Sequence, residues 1–210
     1  YYQMANSTIA IGYEAMQGTS SPAATGTGNI ALGYRAGYVL STGNRNIAIG
    51  NNALDACGTT HYNIAIGDNA LGAHTGHGAV AIGDGALTLN TANYCVAIGM
   101  EALKVNTSGA RNTAVGGFAL DANQTGADCV AIGYDAGEAT AGSFNTFIGA
   151  YSGGNKSGIV ADNCATFING PLIFPRAEVS FFACLLLSKY NPKYFSPAIF
   201  VAKPPITPLI

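Results

Sequence analysis

Residues 46–54 read NIAIGNNAL, and the same phrase returns at residues 63–71 as NIAIGDNAL. Working outward, it recurs as TIAIGYEAM (8–16), NIALGYRAG (29–37), AVAIGDGAL (79–87), CVAIGMEAL (95–103), NTAVGGFAL (112–120), CVAIGYDAG (129–137) and NTFIGAYSG (145–153). The anchor glycines are Gly12, Gly33, Gly50, Gly67, Gly83, Gly99, Gly116, Gly133 and Gly149, with steps of 21, 17, 17, 16, 16, 17, 17 and 16. A series so regular is a structural repeat, in which each unit is too small to bury its own apolar face and must stack on its neighbours.

Each unit can be read physically. Ile47 and Ile49 share one face of a strand, because successive side chains alternate. They are expected to point inward, with the Ala between them on the opposite face, small enough to lie close to another sheet or chain. Ala holds that middle position in eight of nine units, Phe147 being the exception. The anchor Gly suits a bend with positive φ or a close backbone approach. Three residues on stands Ala, or Ser152 in the ninth unit, often followed by Leu as at Leu54, Leu71, Leu87, Leu103 and Leu120; a second short strand is expected there. The remainder, rich in Thr, Asn and Gly, makes the return turn. Helices are disfavoured by the recurring Gly and the β-branched residues before it.

The expected fold is therefore all-β: a parallel β-solenoid of nine to ten coils of 16–17 residues over residues 1–170, with a non-repetitive Pro-rich element at 171–210. Stacked at about 4.8 Å per coil, nine coils make a rod of roughly 40 Å. The long first step places an insertion near 17–27, and NCATFING at 163–170 reads as a degenerate last coil (159–170), with Asn169 where the anchor would stand. Residues 171–210 hold seven of the eight prolines and are expected to cap the last coil or dock on a neighbouring subunit. The apolar run Val179 to Leu187 is far shorter than the about 20 residues a membrane span needs.

Composition narrows the function. The chain of 210 residues has 28 Gly, 10% charged residues and no Trp, a make-up suited to thin repeated layers. A formal charge of −2 without a basic cluster argues against an electrostatic grip on nucleic acid or anionic membrane. Residues 1–170 carry five Lys/Arg against ten Asp/Glu, and residues 171–210 four against one. A start at Tyr1 without Met is what a mature product or a fragment would show, and no signal peptide is visible.

NIAIGNNAL and NTAVGGFAL resemble the repeats of trimeric autotransporter adhesin heads and of phage tail-fibre shafts, over about residues 6–155. The phage-type repeats match the 16–17-residue spacing better, although no chaperone-like peptidase domain is recognisable after residue 170. The resemblance implies a left-handed β-roll, three chains side by side, Ile/Val columns inside each chain and small residues toward the neighbours. It also implies a virion-fibre or cell-surface location and a carbohydrate or protein receptor.

No catalytic residue or cofactor is assigned, and the chain is expected not to be an enzyme. Paired carboxylates and Ser–His–Asp arrangements cannot be argued from spacing, and calcium-binding nonapeptides are missing. IGDNAL at 66–71 matches the hexapeptide signature of acyltransferases, but only once per unit. His61 and His77 each precede an anchor Gly by six residues and should stack on adjacent coils, with His74 nearby. They are the metal-ligating candidates, weighed against the plainer reading of a solvated His ladder. Asn29, Asn46 and Asn63 are expected to form a stacked amide column. Asn6, Asn106, Asn123 and Asn155 lie in sequons that would accept a glycan in a secretory setting. Cys95 and Cys129 share a coil position two coils apart, too far for a disulfide, and read as small buried apolar residues; Cys57, Cys164 and Cys184 have no assignable partner. Tyr13, Tyr34, Tyr62 and Tyr134 are possible carbohydrate contacts, against a packing role. Two non-enzymatic functions stand side by side: a closed homotrimeric shaft or receptor-binding segment, and a filament subunit stacked end to end.

Overall fold

In the computed structural model the described residues are 7–17, 25–56, 58–138, 142–153 and 166–168. They form a parallel β-solenoid. Ten three-residue strands run from β1 (Ile9–Ile11) through β2 (Ile30–Leu32), β3 (Ile47–Ile49), β4 (Ile64–Ile66), β5 (Val80–Ile82), β6 (Val96–Ile98), β7 (Thr113–Val115), β8 (Val130–Ile132) and β9 (Thr146–Ile148) to β10 (Thr166–Ile168). They pair in sequence order in one ten-stranded sheet. Register is exact in the repeat: Ala48 sits on Ala65, Ala65 on Ala81, and Phe167 on Phe147. The pairing of β10 fits the expected degenerate last coil. The remainder of that coil, most of the 17–27 insertion and the whole of 171–210, including the expected capping role, lie outside the described residues.

The side-chain orientation is the reverse of the expected one. The middle Ala of β2 to β8 and Phe147 of β9 are fully buried, whereas the residues on either side are half-buried or exposed. Alanine is the core residue, and isoleucine faces out. The reason is the thinness of the coil. Its opposite wall is already lined by Ala53, Ala70, Ala86, Ala102 and Ala119 and by the Leu54, Leu71, Leu87, Leu103 and Leu120 column, all fully buried. With that Leu filling the interior, only a methyl group fits on the strand side at native packing density.

Coil nine shows the same limit from the other direction. Phe147 replaces the middle Ala, and glycine stands at the Leu position in its own coil (Gly153) and in the preceding one (Gly137). A Cβ on Gly137 would lie 2.8 Å from the Phe147 ring, and one on Gly153 2.3 Å from it. The side chain has moved from one wall to the other.

The expected second strand is also absent among the described residues. The Ala–Leu wall is a stack of turns in which alternate residues have positive φ, such as Asn52 (51°) and Leu54 (51°). That zigzag turns successive amides in opposite directions, so Asn52 N–H donates to Tyr34 of the coil before (2.9 Å) and Leu54 N–H to Ala70 of the coil after (3.0 Å). Backbone groups are thus paired between coils without a strand. The anchor glycines behave as expected. Gly67 has φ +132°, and a Cβ there would lie 2.5 Å from the carbonyl oxygen of Gly83.

Candidate interaction face

Each coil from β1 to β9 places two side chains on the outer face of the sheet. One column is Ile9, Ile30, Ile47, Ile64, Val80, Val96, Thr113, Val130 and Thr146; the other is Ile11, Leu32, Ile49, Ile66, Ile82, Ile98, Val115, Ile132 and Ile148. Neither column holds a charged residue. Ile11 is 60% exposed, Leu32 44% and Ile132 44%, so no other described residue covers them. Because adjacent coils are hydrogen-bonded in strict register, the second column is apolar without a break and the first is interrupted at Thr113 and Thr146 alone, a strip roughly 40 Å long at about 4.8 Å per rung. Contiguous apolar surface of this kind, unlike scattered single residues, marks a contact site.

Aromatic rings stand beside the strip. Tyr13 and Tyr34 stack at 5.7 Å, and Phe118, Tyr134 and Tyr151 form successive edge contacts at 5.6 and 5.5 Å. On the strand-entry side Tyr62 and Tyr94 project from left-handed corners. Arg45 donates from Nη1 to the Tyr62 hydroxyl at 2.9 Å, and three corners beyond Tyr62 Arg111 grips Asp128 through Nε (2.6 Å) and Nη2 (2.7 Å). That guanidinium holds the Asp128 carboxyl below the usual carboxylate range. Of the four tyrosines singled out by sequence, Tyr13 and Tyr34 come together at one end, Tyr134 stands further along the same column, and Tyr62 lies on another.

The histidines divide in two. His61 and His77 stack at 5.2 Å between centroids, as their spacing predicts. Their Nδ1 atoms accept backbone N–H groups, from Asn44 onto His61 (3.0 Å) and from His61 onto His77 (3.1 Å). An N–H can only donate, so Nδ1 is the bare nitrogen in each ring and Nε2 carries the proton. Neither ring offers a metal a spare lone pair. His74 does not join them: it is fully buried inside the coil, with Nδ1 3.0 Å from the Asn90 carbonyl oxygen. Burial lowers its pKa from 6.5 to about 4. Among the described residues no three His, Cys, Asp or Glu side chains gather into a group able to hold a metal ion.

The amide column is present, and it is internal. Asn46 N–H donates to Asn29 Oδ1 (2.9 Å), and Asn63 N–H to Asn46 Oδ1 (3.0 Å). A second interior column was missed in the sequence: Asn106 Nδ2 donates to Asn90 Oδ1 (2.8 Å), and Asn123 Nδ2 to Asn106 Oδ1 (3.4 Å). Its only signal was an Asn seven residues after the anchor in three consecutive units. Two sequon asparagines belong to this column. Asn106 and Asn123 are fully buried, with Nδ2 also donating to the carbonyls of Gly109 (2.8 Å) and Gly126 (2.9 Å). An attached glycan has no room there in the folded coil, which corrects the expectation at these two positions. Asn6 and Asn155 lie outside the described residues.

Cys95 and Cys129 are buried free thiols. They occupy the inward position that Asn holds in other coils, and their Sγ atoms lie 3.3 Å from the Gly109 and Gly142 carbonyl oxygens. Burial pushes both thiols up from their ordinary pKa, which makes them inert rather than nucleophilic. Cys57, Cys164 and Cys184 lie outside the described residues. Among the described residues no helix is long and apolar enough to cross a membrane. No known family, curated protein or solved structure matches the chain.

Proposed function

We propose that this chain is a non-enzymatic structural subunit, a shaft or receptor-binding segment of an extracellular fibre, which assembles with further copies of itself through the outer Ile/Val strip. The observation that carries the reading is the uncharged strip itself, repeated on every coil. Its natural complement is a surface of the same rung period, and another copy of this solenoid has that period by construction.

Energetics favour closure. Fully burying an Ile or Val side chain is worth about 1.5–3 kcal/mol, and most strip residues are only half covered by their own chain. Covering the remaining area along nine rungs supplies a driving force that a thin Ala–Leu interior lacks. A closed side-by-side trimer satisfies this on all three chains at once and leaves the corner residues Tyr62 and Tyr94 for a cell-surface carbohydrate or protein receptor. A virion fibre or a bacterial surface adhesin is the setting for such an object.

One observation favours end-to-end stacking. Among the described residues strand β1 is the first of the sheet and pairs with β2 alone, and a sheet edge of this kind is a ready template for pairing. Negative-stain electron microscopy with sedimentation velocity separates the readings. Discrete short rods of three chains are expected; fibres of unlimited length would establish the filament reading instead, and single-chain particles would refute both.

A further inference from the structure

All three histidines of the chain fall between residues 61 and 77, and all three work at the junctions of the coils carrying β3 to β6. Each stands in a column where neighbouring coils use a residue that does not titrate. In the outer column Asn44 Oδ1 accepts the Thr27 N–H (2.7 Å) and Asn93 Oδ1 accepts the His77 N–H (2.7 Å). Between them His61 and His77 do the same task with Nδ1. In the inner column Asn90, Asn106 and Asn123 form the amide ladder, and His74 is its next rung: Asn90 Nδ2 lies 3.0 Å from His74 Nδ1.

We propose that the stacked pair His61 and His77 makes an acid-sensitive seam, along which the coils of β3, β4, β5 and β6 lose their outer side-chain ties when these two imidazoles take up protons. A proton added to Nδ1 of His61 turns the acceptor of the Asn44 N–H into a second donor facing it. The same proton on His77 breaks the tie to the His61 N–H, and the two stacked rings then carry like charges 5.2 Å apart. His74 has no exposed surface, and its Nε2 has no partner, so its protonated form puts a charge inside the coil with one ring nitrogen unsatisfied.

Burial outweighs what compensation the surroundings offer a charged His74, and among the described residues no carboxylate is ion-paired with it or with the outer pair. Asn44 and Asn93 close the outer column at its two ends, and Tyr62 lies tilted 6.4 Å from His61. Arg45, on the same corner, is itself positive and bonded to Tyr62. His74 is kept neutral chiefly by burial and also by the field of His77, against the Asn90 and Gly76 backbone groups, which favour its protonated form.

The chain supplies its own control, because Asn already fills the equivalent positions of adjacent coils. Amide hydrogen exchange of the full chain at pH 7.5 and pH 5, expressed as protection relative to intrinsic rates, reads the seam directly. The expected result is a loss of protection of about tenfold or more at Asn44 and His61, with less than about twofold change at Thr113 and Val130. In the variant H61N/H74N/H77N that selective loss disappears. Should the triple variant not fold, H77N alone is expected to remove the loss at His61 while sparing that at Asn44. Equal loss of protection in every coil, or an undiminished selective loss in either variant, would overturn the proposal.

Discussion

At the scale of single residues, the anchor glycine and the buried histidine make the sharpest claims. Gly67→Ala forces a Cβ to within 2.5 Å of the Gly83 carbonyl at φ +132°, and the expected loss is about 3 kcal/mol or more. Gly117→Ala is the matched control: its Cβ would make only ordinary contacts, with the Tyr134 ring at 3.5 Å and the Met100 carbonyl oxygen at 3.8 Å, and no positive φ is involved, so urea unfolding should find it within about 1 kcal/mol of the parent. His74 titrates near 4 when folded and near 6.5 when unfolded. Between those values the unfolded chain binds the extra proton, so this contribution is full above pH 6.5 and falls away as the pH drops toward 4. The shift corresponds to about 3 kcal/mol. His74→Leu, which copies the Leu40 of an earlier coil in the same column, should flatten that part of the stability profile measured by chemical denaturation. What the sequence made legible here was position, not direction: the spacing of His61 and His77 gave their stack, but nothing in it said that His74 turns inward while its neighbour three residues on turns out.

At the scale of the element, each coil is a three-residue strand, a glycine bend and a wall of turns. Strand position and register were readable from the glycine spacing because one repeat length fixes both. Which face was inside was not readable, since a pattern of Ile-Ala-Ile alternates equally well about either surface. Size suggested the isoleucines, and the Leu of the opposite wall decided otherwise. The turn wall was mistaken for a strand because its Ala-Leu pair has strand-like composition, whereas its positive φ at Leu54 and Leu71 belongs to a conformation that leucine rarely takes. The inversion has a direct consequence for mutation. Ala65→Leu overfills a site with no exposed surface and should cost about 1–3 kcal/mol of coil stability by thermal or urea unfolding. Ile66→Ala, on the outer face, should leave the circular-dichroism spectrum unchanged and weaken association instead. If Ile66→Ala instead unfolds the chain and Ala65→Leu is silent, the assignment of faces fails.

For the whole molecule, the rod has an interior of alanine, leucine and asparagine and an exterior strip of isoleucine and valine. Its internal amide columns are satisfied between coils, so specificity of register comes from hydrogen bonds, while the apolar surface that normally stabilises a core is turned outward. That arrangement explains why, among the described residues of a chain 49% hydrophobic, the leucines of the Ala–Leu wall are buried while the strand isoleucines and valines are not. Sedimentation equilibrium of the parent beside the variant Ile66→Asp/Ile82→Asp tests this most directly. The account predicts a parent particle of three 21.3 kDa chains and a variant that sediments as one folded chain. A parent that is monomeric at every concentration, or a variant that assembles as the parent does, would contradict it.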